Sequence, residues 1–190
     1  MAVLLAVLLW VGQSPTQGAA LHSDGGWIRV PFVRQTTDGC GSASLAMVMQ
    51  YWEQTAPSLR GAVAAGASDP RRIQAQLFAR RAHGIYASRM VEYLHEAGFA
   101  TYAFHGEWAD LVHQIAQGRP LIVAMRDGGR HGPLHYVVVV GADADHVYLN
   151  DPARQPLLRL DRSGFLSAWS ATEDWTLLAL PPPHSAAAGR

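Results

Sequence analysis

The chemistry of this chain centres on its only cysteine. Cys40 stands between Gly39 and Gly41, where a loop passes into a run of apolar residues with helical spacing. A thiol in the first turn of a helix lies near the positive end of the helix dipole and near unpaired backbone N–H groups, and both favour the thiolate. Since the thiolate is the nucleophilic form of cysteine, the pattern predicts a nucleophile at position 40.

An amide side chain that would assist this nucleophile stands five residues upstream, at Gln35. A thiolate that attacks a carbonyl group needs hydrogen-bond donors for the developing oxyanion. The Gln35 side chain and the backbone N–H of Cys40 are two candidate donors. A lone cysteine before a helix is more often a small buried residue, however, and most glutamines lie on the surface. The hypothesis therefore needs a base and an orienting acid elsewhere.

Nine histidines compete for the role of base. We favour His135 because it opens the apolar run 136–140, and a regular strand holds a general base in a defined position. The rival is His131, which lies in the polar, Gly-rich loop 126–133. This loop is expected to border a substrate groove.

An imidazole base needs an acceptor that fixes its tautomer and its ring plane. Asp151 ends the strand that follows His135, and a hairpin around residues 142–145 would bring the two side chains together. In the alternative interpretation, Asp151 and Pro152 merely form a turn.

A zinc site built from His131 and His135 with Asp151 or Cys40 is the competing use of these side chains. The two histidines lie in and after a loop rather than on one helix, so their spacing implies no fixed pair of ligands. We therefore expect no metal and no other cofactor.

Predicted helices dominate the first half of the chain, and predicted strands dominate the second. Helices are expected from Cys40, from a cap at Asp69 and Pro70, from a cap at Ser88 to Gly98, and at 107–117, with a short helical turn at 165–169. Strands are expected at 27–33, 99–104, 120–125, 134–140, 146–149, 157–160 and 175–180. This order predicts an α+β fold in which N-terminal helices that carry Cys40 pack on a C-terminal antiparallel β-sheet, with the site in the cleft between them.

The composition suits one domain with a substantial core, because 49% of the 190 residues are hydrophobic. The formal net charge is zero, which gives no reason to expect a nucleic-acid partner or an anionic membrane surface as partner.

An unbroken apolar run occupies residues 2–11. It is shorter than the roughly 20 residues that span a bilayer, and it is typical of the core of a signal peptide, although no basic residue precedes it. We expect a signal peptide over 1–20, a single domain over 21–182 and a disordered tail over 183–190. The mature protein would then be periplasmic or secreted in a bacterium, with no stable membrane span after processing.

Six segments, in order, resemble the C39-type papain-like cysteine peptidases, especially the free-standing exported C39-like proteins. These segments are 30–35, 40–41, 118–123, 135–141, 147–152 and the late Phe-Leu-x-x-Trp segment 165–169, so the resemblance covers roughly residues 27 to 182. It implies a papain-like α+β fold with Cys40 as nucleophile, His135 as base, Asp151 as its orienter and Gln35 in the oxyanion hole.

The chain departs from this family pattern in two respects. Ser42 and Ala43 stand where many relatives have Pro and Ala, and Ser42 is a residue type that can cap a helix. The chain also shows no transporter segment, so the double-glycine leader substrates of exporter-linked members are not carried over.

The expected activity is that of a thiol hydrolase which cleaves a peptide or amide bond in a peptide or protein substrate through a Cys-His-Asp triad and an acyl-enzyme thioester. The alternatives are an acyl transferase that uses the same site and a catalytically silent module that binds peptides.

Overall fold

A computed structural model describes residues 26–56, 59, 63–129 and 131–182. The α-helices in this part of the chain are α1 (Cys40–Thr55), α2 (Pro70–Leu77), α3 (Ala87–Glu96), α4 (Trp108–Ala116) and α5 (Arg162–Ser170), with a short 3₁₀ helix at Arg80–Ala82. The strands are β1 (Ala100–His105), β2 (Leu121–Arg126), β3 (Leu134–Ala142), β4 (His146–Asn150), β5 (Leu158–Asp161) and β6 (Trp175–Leu180).

The six strands form one sheet in the order β1-β6-β2-β3-β4-β5, and every neighbouring pair is antiparallel. The last strand, β6, therefore lies between β1 and β2, and β1 and β5 form the two edges of the sheet. Helices come mainly from the first half of the chain and strands from the second, so the predicted α+β architecture is confirmed.

The helix that begins at Cys40 lies against the middle of the sheet. It packs mainly on β3 and also on β2, and its central residues are buried on all sides. A helix buried in this way needs no polar face. The buried hydroxyl of Ser44 donates a hydrogen bond to the backbone carbonyl of Tyr136, at 3.3 Å. This bond ties the first turns of α1 to the residue that follows His135.

Several helix boundaries agree with the prediction. Asp69 caps α2 by accepting a hydrogen bond from the Arg71 backbone N–H, with Pro70 at the first helical position. Gly98 and Gly118 follow α3 and α4 with φ angles of +91° and +71°, a conformation in which glycine carries no steric penalty.

Two local predictions are wrong, and a third gives too short an element. Residues 27–33 form no strand: Trp27 makes a single bridge to Gly141, and Pro31 has no N–H to continue the pairing. Ser88 does not cap α3, because the extended residue Tyr86 ends the preceding loop and the helix begins at Ala87. The turn at 165–169 is part of the full helix α5.

The predicted signal peptide and the predicted tail lie outside the described residues, as do most of positions 57–62. Export of the protein thus stays a prediction. Within the described ranges, no helix combines the length and the apolar character needed to cross a bilayer.

Candidate active site

Cys40 is the first residue of α1, and a tight turn directly precedes it. The Gly39 N–H donates to the Thr36 carbonyl at 3.0 Å, and Asp38 adopts a left-handed φ of 56° within this turn. The first backbone bond of the helix runs from the Ala43 N–H to the Gly39 carbonyl, at 3.0 Å. The backbone N–H of Cys40 precedes that bond and points from the open end of the helix, where an anion is favoured.

The residues that follow the cysteine, Gly41 and Ser42, are closely packed at the start of the helix. A Cβ at Gly41 would lie 3.2 Å from the Ile85 Cβ, so the close approach of these two segments requires glycine there. Ser42 does not cap the helix N–H groups as we expected. Its hydroxyl instead donates to the Gly39 carbonyl at 2.9 Å, because it stands three residues inside the cap position, where the carbonyl is within reach.

His135 and Asp151 form a buried pair on the other side of the cleft. The His135 Nε2 and the Asp151 Oδ1 are 2.8 Å apart, and the two residues are 7% and 0% exposed. Because Asp151 occupies Nε2, the Nδ1 atom of the ring is the nitrogen left for a reacting group. The Cys40 side chain interacts with this ring closely enough to influence its protonation.

An irregularity in the hairpin aligns this pair. A β-bulge between Val139 and Gly141 shifts the register of the β3–β4 pair by one residue. Regular pairing counted from the hairpin turn would set Asp151 opposite Val138, on the sheet face away from His135, because side chains alternate along a strand. The bulge moves Asp151 by one position and thereby brings it to the face of His135.

Asp151 is held by more than the histidine. Its Oδ1 also accepts the Ala153 N–H at 2.9 Å, and its Oδ2 accepts a hydrogen bond from Arg154 at 2.8 Å. The second terminal nitrogen of Arg154 pairs with Asp127 on the loop between β2 and β3. Sequence reasoning missed both Arg154 and Asp127. The Asp-Pro turn hinted at the bond to Ala153, but nothing local pointed to Asp127.

The segment that carries Gln35 is tied to the same loop. The Gln35 N–H donates to the Pro152 carbonyl at 3.0 Å, and Arg34 donates to the Arg154 carbonyl at 2.9 Å. The Gln35 side chain lines the cleft beside Cys40. Its Oε1 is buried and has no hydrogen-bond partner among the described residues.

Electrostatics favour an ionised pair. Burial alone would lower the pKa of His135, but the hydrogen bonds and charges of Asp151 and Cys40 outweigh it and raise that pKa to about 9. Burial alone would raise the pKa of Asp151, but the bonds from His135, Arg154 and the Ala153 N–H lower it to about 2. Burial also raises the pKa of the neighbouring Tyr136 to about 12.

One cleft of about 780 Å³ contains Gln35, Cys40 and His135 in its lining. The rival base, His131, is exposed and is not part of that lining. His83, which the sequence gave no reason to single out, lies on the rim of the cleft with its ring 3.8 Å from Asp38.

The zinc alternative has no geometric support in the described ranges. There, no group of three or more His, Cys, Asp or Glu side chains is arranged to hold a metal ion. His131 is exposed in its loop, while the Nε2 of His135 is bonded to Asp151.

The chain resembles known proteins in sequence and in fold. The sequence profile of the Peptidase_C39 like family matches residues 27–176. No curated protein sequence matches the chain. The peptidase domain of Streptococcus ComA, a bi-functional ABC transporter involved in a quorum sensing pathway, is 20% identical with a TM-score of 0.61; the match covers 80% of this chain and 99% of that one.

Two further solved structures share the fold. A protein from Bacillus anthracis, described as a C39-like peptidase, is 17% identical with a TM-score of 0.60, over 80% of this chain and 94% of its own. A double glycine motif protease from an AMS/PCAT transporter, solved in complex with the leader peptide, is 21% identical with a TM-score of 0.59, over 84% of this chain and 96% of its own. At these identities the likeness shows a common fold.

Proposed function

Since the chain belongs to the Peptidase_C39 like family, which it matches over residues 27–176, we propose that it cleaves a peptide or amide bond through a covalent thioester on Cys40. Family membership and fold make it a cysteine peptidase. The assignment of roles below starts from the arrangement of Cys40, His135 and Asp151 around one cleft, which is the observation that carries the proposal.

In the resting site, the proton of the Cys40 thiol lies on the Nδ1 of His135, and in the first step the sulfur attacks the carbonyl carbon of the substrate. Asp151 accepts the Nε2–H of His135, which fixes the tautomer that exposes Nδ1 and stabilises the imidazolium. The raised pKa of His135, about 9, means that the ring holds this proton at neutral pH.

The negative charge that develops on the carbonyl oxygen needs donors. The Cys40 backbone N–H at the start of α1 supplies one, with the dipole of the helix behind it. The Nε2 group of the Gln35 side chain supplies the second, since this side chain lines the same cleft beside Cys40.

Collapse of the tetrahedral intermediate breaks the C–N bond. The Nδ1–H of His135 protonates the leaving amine, and the acyl group remains on the Cys40 sulfur as a thioester. A water molecule then gives its proton to His135 and attacks the thioester. The sulfur leaves as the thiolate, the proton from the water stays on the Nδ1 of His135, and the carboxylic acid product is released, which restores the starting site.

The test is labelling of Cys40 by a library of peptidyl thiol-reactive probes, read by mass spectrometry. We expect rapid labelling of the wild-type protein, none in Cys40→Ala and a strongly reduced rate in His135→Ala. The matched control is His131→Ala, because His131 is exposed and outside the cleft lining. Full cleavage activity in Cys40→Ala, or equal losses in His131→Ala and His135→Ala, would refute the assignment.

Analysis of the reaction products distinguishes a hydrolase from the two alternatives, an acyl transferase and a catalytically silent peptide-binding module. Acyl transfer to an added amine would yield an amide in place of the acid, and a silent binding module would retain the peptide unchanged. The buried and fully hydrogen-bonded Asp151 supports a catalytic site over a silent one, because a binding cleft has no need of a desolvated carboxylate behind a histidine.

A further inference from the structure

Arg126, the last residue of β2, lies where three cavities meet. It lines the cleft that contains Cys40, a second cavity of about 340 Å³ beside α5 and a third of about 290 Å³ beside Trp175. The cleft and the second cavity also share Asp127, so the two adjoin at these consecutive residues. A substrate that extends along the cleft passes the Arg126 side chain.

The charges around the cleft leave Arg126 without a counterion. Asp38 lies 3.8 Å from the His83 ring, and Asp127 pairs with Arg154. Among the described residues, no carboxylate lies within ion-pair distance of Arg126; its Nη1 donates only to the Gly132 carbonyl, at 3.0 Å.

The nitrogens of the Arg126 side chain differ in their surroundings, and the Nε is the most enclosed of them. This atom is buried and has no hydrogen-bond partner within the described ranges. A ligand in the cleft does not reach this buried atom, but the terminal Nη2 makes no hydrogen bond among the described residues and is not one of the buried atoms, so it is the donor that remains open to a ligand. The guanidinium presents donors in a planar fork that matches a carboxylate.

We propose that Arg126 binds a carboxylate of the peptide substrate and thereby selects acidic substrates. The carboxylate belongs either to an Asp or Glu side chain near the cleaved bond or to the free C-terminus of a short peptide. This inference rests on the proposed function, in that the substrate is the peptide that Cys40 attacks.

The linings of the two side cavities indicate which one receives the carboxylate. The third cavity contains Glu173, a carboxylate that would repel a bound anion. In the second cavity, the one carboxylate of the lining, that of Asp127, is already paired with Arg154, which is also paired with the buried Asp151. We therefore place the carboxylate in the second cavity, whose lining also includes apolar side chains against which the aliphatic part of a Glu residue packs: Met125, Leu158, Leu160 and Ala168.

The experiment uses pairs of peptidyl thiol-reactive probes on the full chain. Within each pair, the probes differ only by Glu against Gln at one position, or by a free C-terminal acid against its amide. The readout is the rate constant for labelling of Cys40. For the wild-type protein we expect one pair to show a preference of about 10-fold to 100-fold for the carboxylate, the range for a hydrogen bond to a charged group. The type of that pair identifies the source.

Substitutions assign the preference to the guanidinium. Arg126→Gln retains a donor for the Gly132 carbonyl, and we expect it to react equally with both members of the pair. Arg126→Glu should prefer a probe with Lys at the same position. Arg159→Glu is the matched control, because Arg159 is exposed on β5 and lines none of the three cavities, and it should keep the wild-type preference.

The outcomes distinguish this inference from the proposed function. If Arg126 serves only to hold the loop, Arg126→Gln slows both members of a pair by the same factor and leaves their ratio unchanged, which overturns the inference. A wild-type protein that labels at Cys40 with no carboxylate preference in any pair also overturns it and leaves the proposed function intact. Failure of every probe to label Cys40 overturns both.

Discussion

The two sides of the cleft hold their reactive groups by different means. Cys40 is placed by backbone bonds within a few residues, from the Gly39 N–H to Thr36 and from the Ala43 N–H to Gly39. His135 lies in β3, Asp151 follows β4, and both are fixed by side-chain hydrogen bonds. The bond between His135 and Asp151 joins residues 16 positions apart, and Arg154 extends the network to Asp127, 27 positions away.

This difference predicts unequal tolerance to substitution. A small side-chain substitution near Cys40 leaves the backbone hydrogen bonds that position the cysteine in place. A change on the sheet side leaves a buried charged group without its partner, and the free-energy cost of such a group is high. Substitutions on the sheet side should therefore cost more activity than substitutions beside the nucleophile.

The largest effect is expected from Asp151→Asn. Asparagine preserves the volume but places an amide where a carboxylate accepts the Nε2–H of His135, so the tautomer with a free Nδ1 is no longer favoured. We expect kcat/KM to fall by about 10²-fold to 10⁴-fold. The measurement is the rate of peptide cleavage or of Cys40 labelling.

Asp161→Asn is the control for this substitution, because the Asp161 side chain is 82% exposed and is not part of the cleft lining. It should retain wild-type kcat/KM. A protein with Asn at position 151 that keeps more than half of its activity would show that the histidine needs no acid behind it.

The second prediction concerns stability against pH. The folded pKa of His135, about 9, lies above the ordinary value of 6.5. The folded protein therefore keeps a proton that the unfolded chain loses, and this stabilisation is complete below pH 6.5 and disappears as the pH rises through about 9. We expect the free energy of unfolding to fall by on the order of 3 kcal/mol over this window, as measured by chemical denaturation.

His135→Gln should remove this pH-dependent component, whereas His131→Ala should retain it. Asp151 acts in the opposite range: its pKa is lowered from 3.8 to about 2, so its contribution is present above pH 3.8 and is lost as the pH falls through about 2. Both shifts describe one ion pair, and their free energies are not additive. A flat wild-type profile between pH 6 and 9 would contradict the ionised pair.

Local signals explain what the sequence revealed. The cap at Asp69, the glycines that follow α3 and α4, the strand that contains His135 and the helix start at Cys40 all depend on neighbours along the chain. Even the proximity of Asp151 to His135 followed from a short hairpin.

The remaining features depend on tertiary structure. The bulge between Val139 and Gly141 changes the sheet face of Asp151, and the glycine beside it does not by itself signal an extra residue. The pair of Arg154 with Asp127 joins two loops separated by 27 residues. Partners of this kind are decided by which loops the sheet brings together, and single-chain patterns do not encode that.

The third prediction tests this long-range pair. Arg154→Gln removes the charge beside Asp151 and the bond to Asp127, and we expect kcat/KM to fall by about 10-fold, the value of one charge-assisted hydrogen bond. The loss of a positive charge also strengthens the effect of Asp151 on His135, so the alkaline limb of the pH–activity profile should move upwards.

The direction of that movement separates positioning from a merely structural role. Asp151→Asn should move the alkaline limb downwards, whereas a general loosening of the fold would lower kcat/KM and leave the limb in place. Arg154→Lys keeps the charge and should restore the wild-type limb. An unchanged limb in Arg154→Gln would exclude an electrostatic role for Arg154.

The smallest effect is expected on the helix side, from Gly41→Ala. The added methyl group would lie 3.2 Å from the Cβ of Ile85, an atom next to the backbone that no side-chain rotation can move. The strain outweighs the better helix propensity of alanine, which amounts to at most about 1 kcal/mol, and we expect a net loss of about 1 kcal/mol in the free energy of unfolding.

The matched control is Gly164→Ala in α5, where a Cβ meets nothing within 4 Å. That substitution should stabilise the protein, because only the propensity gain operates there. If denaturation gives equal changes in the free energy of unfolding for the two variants, the contact with Ile85 does not restrict the start of α1.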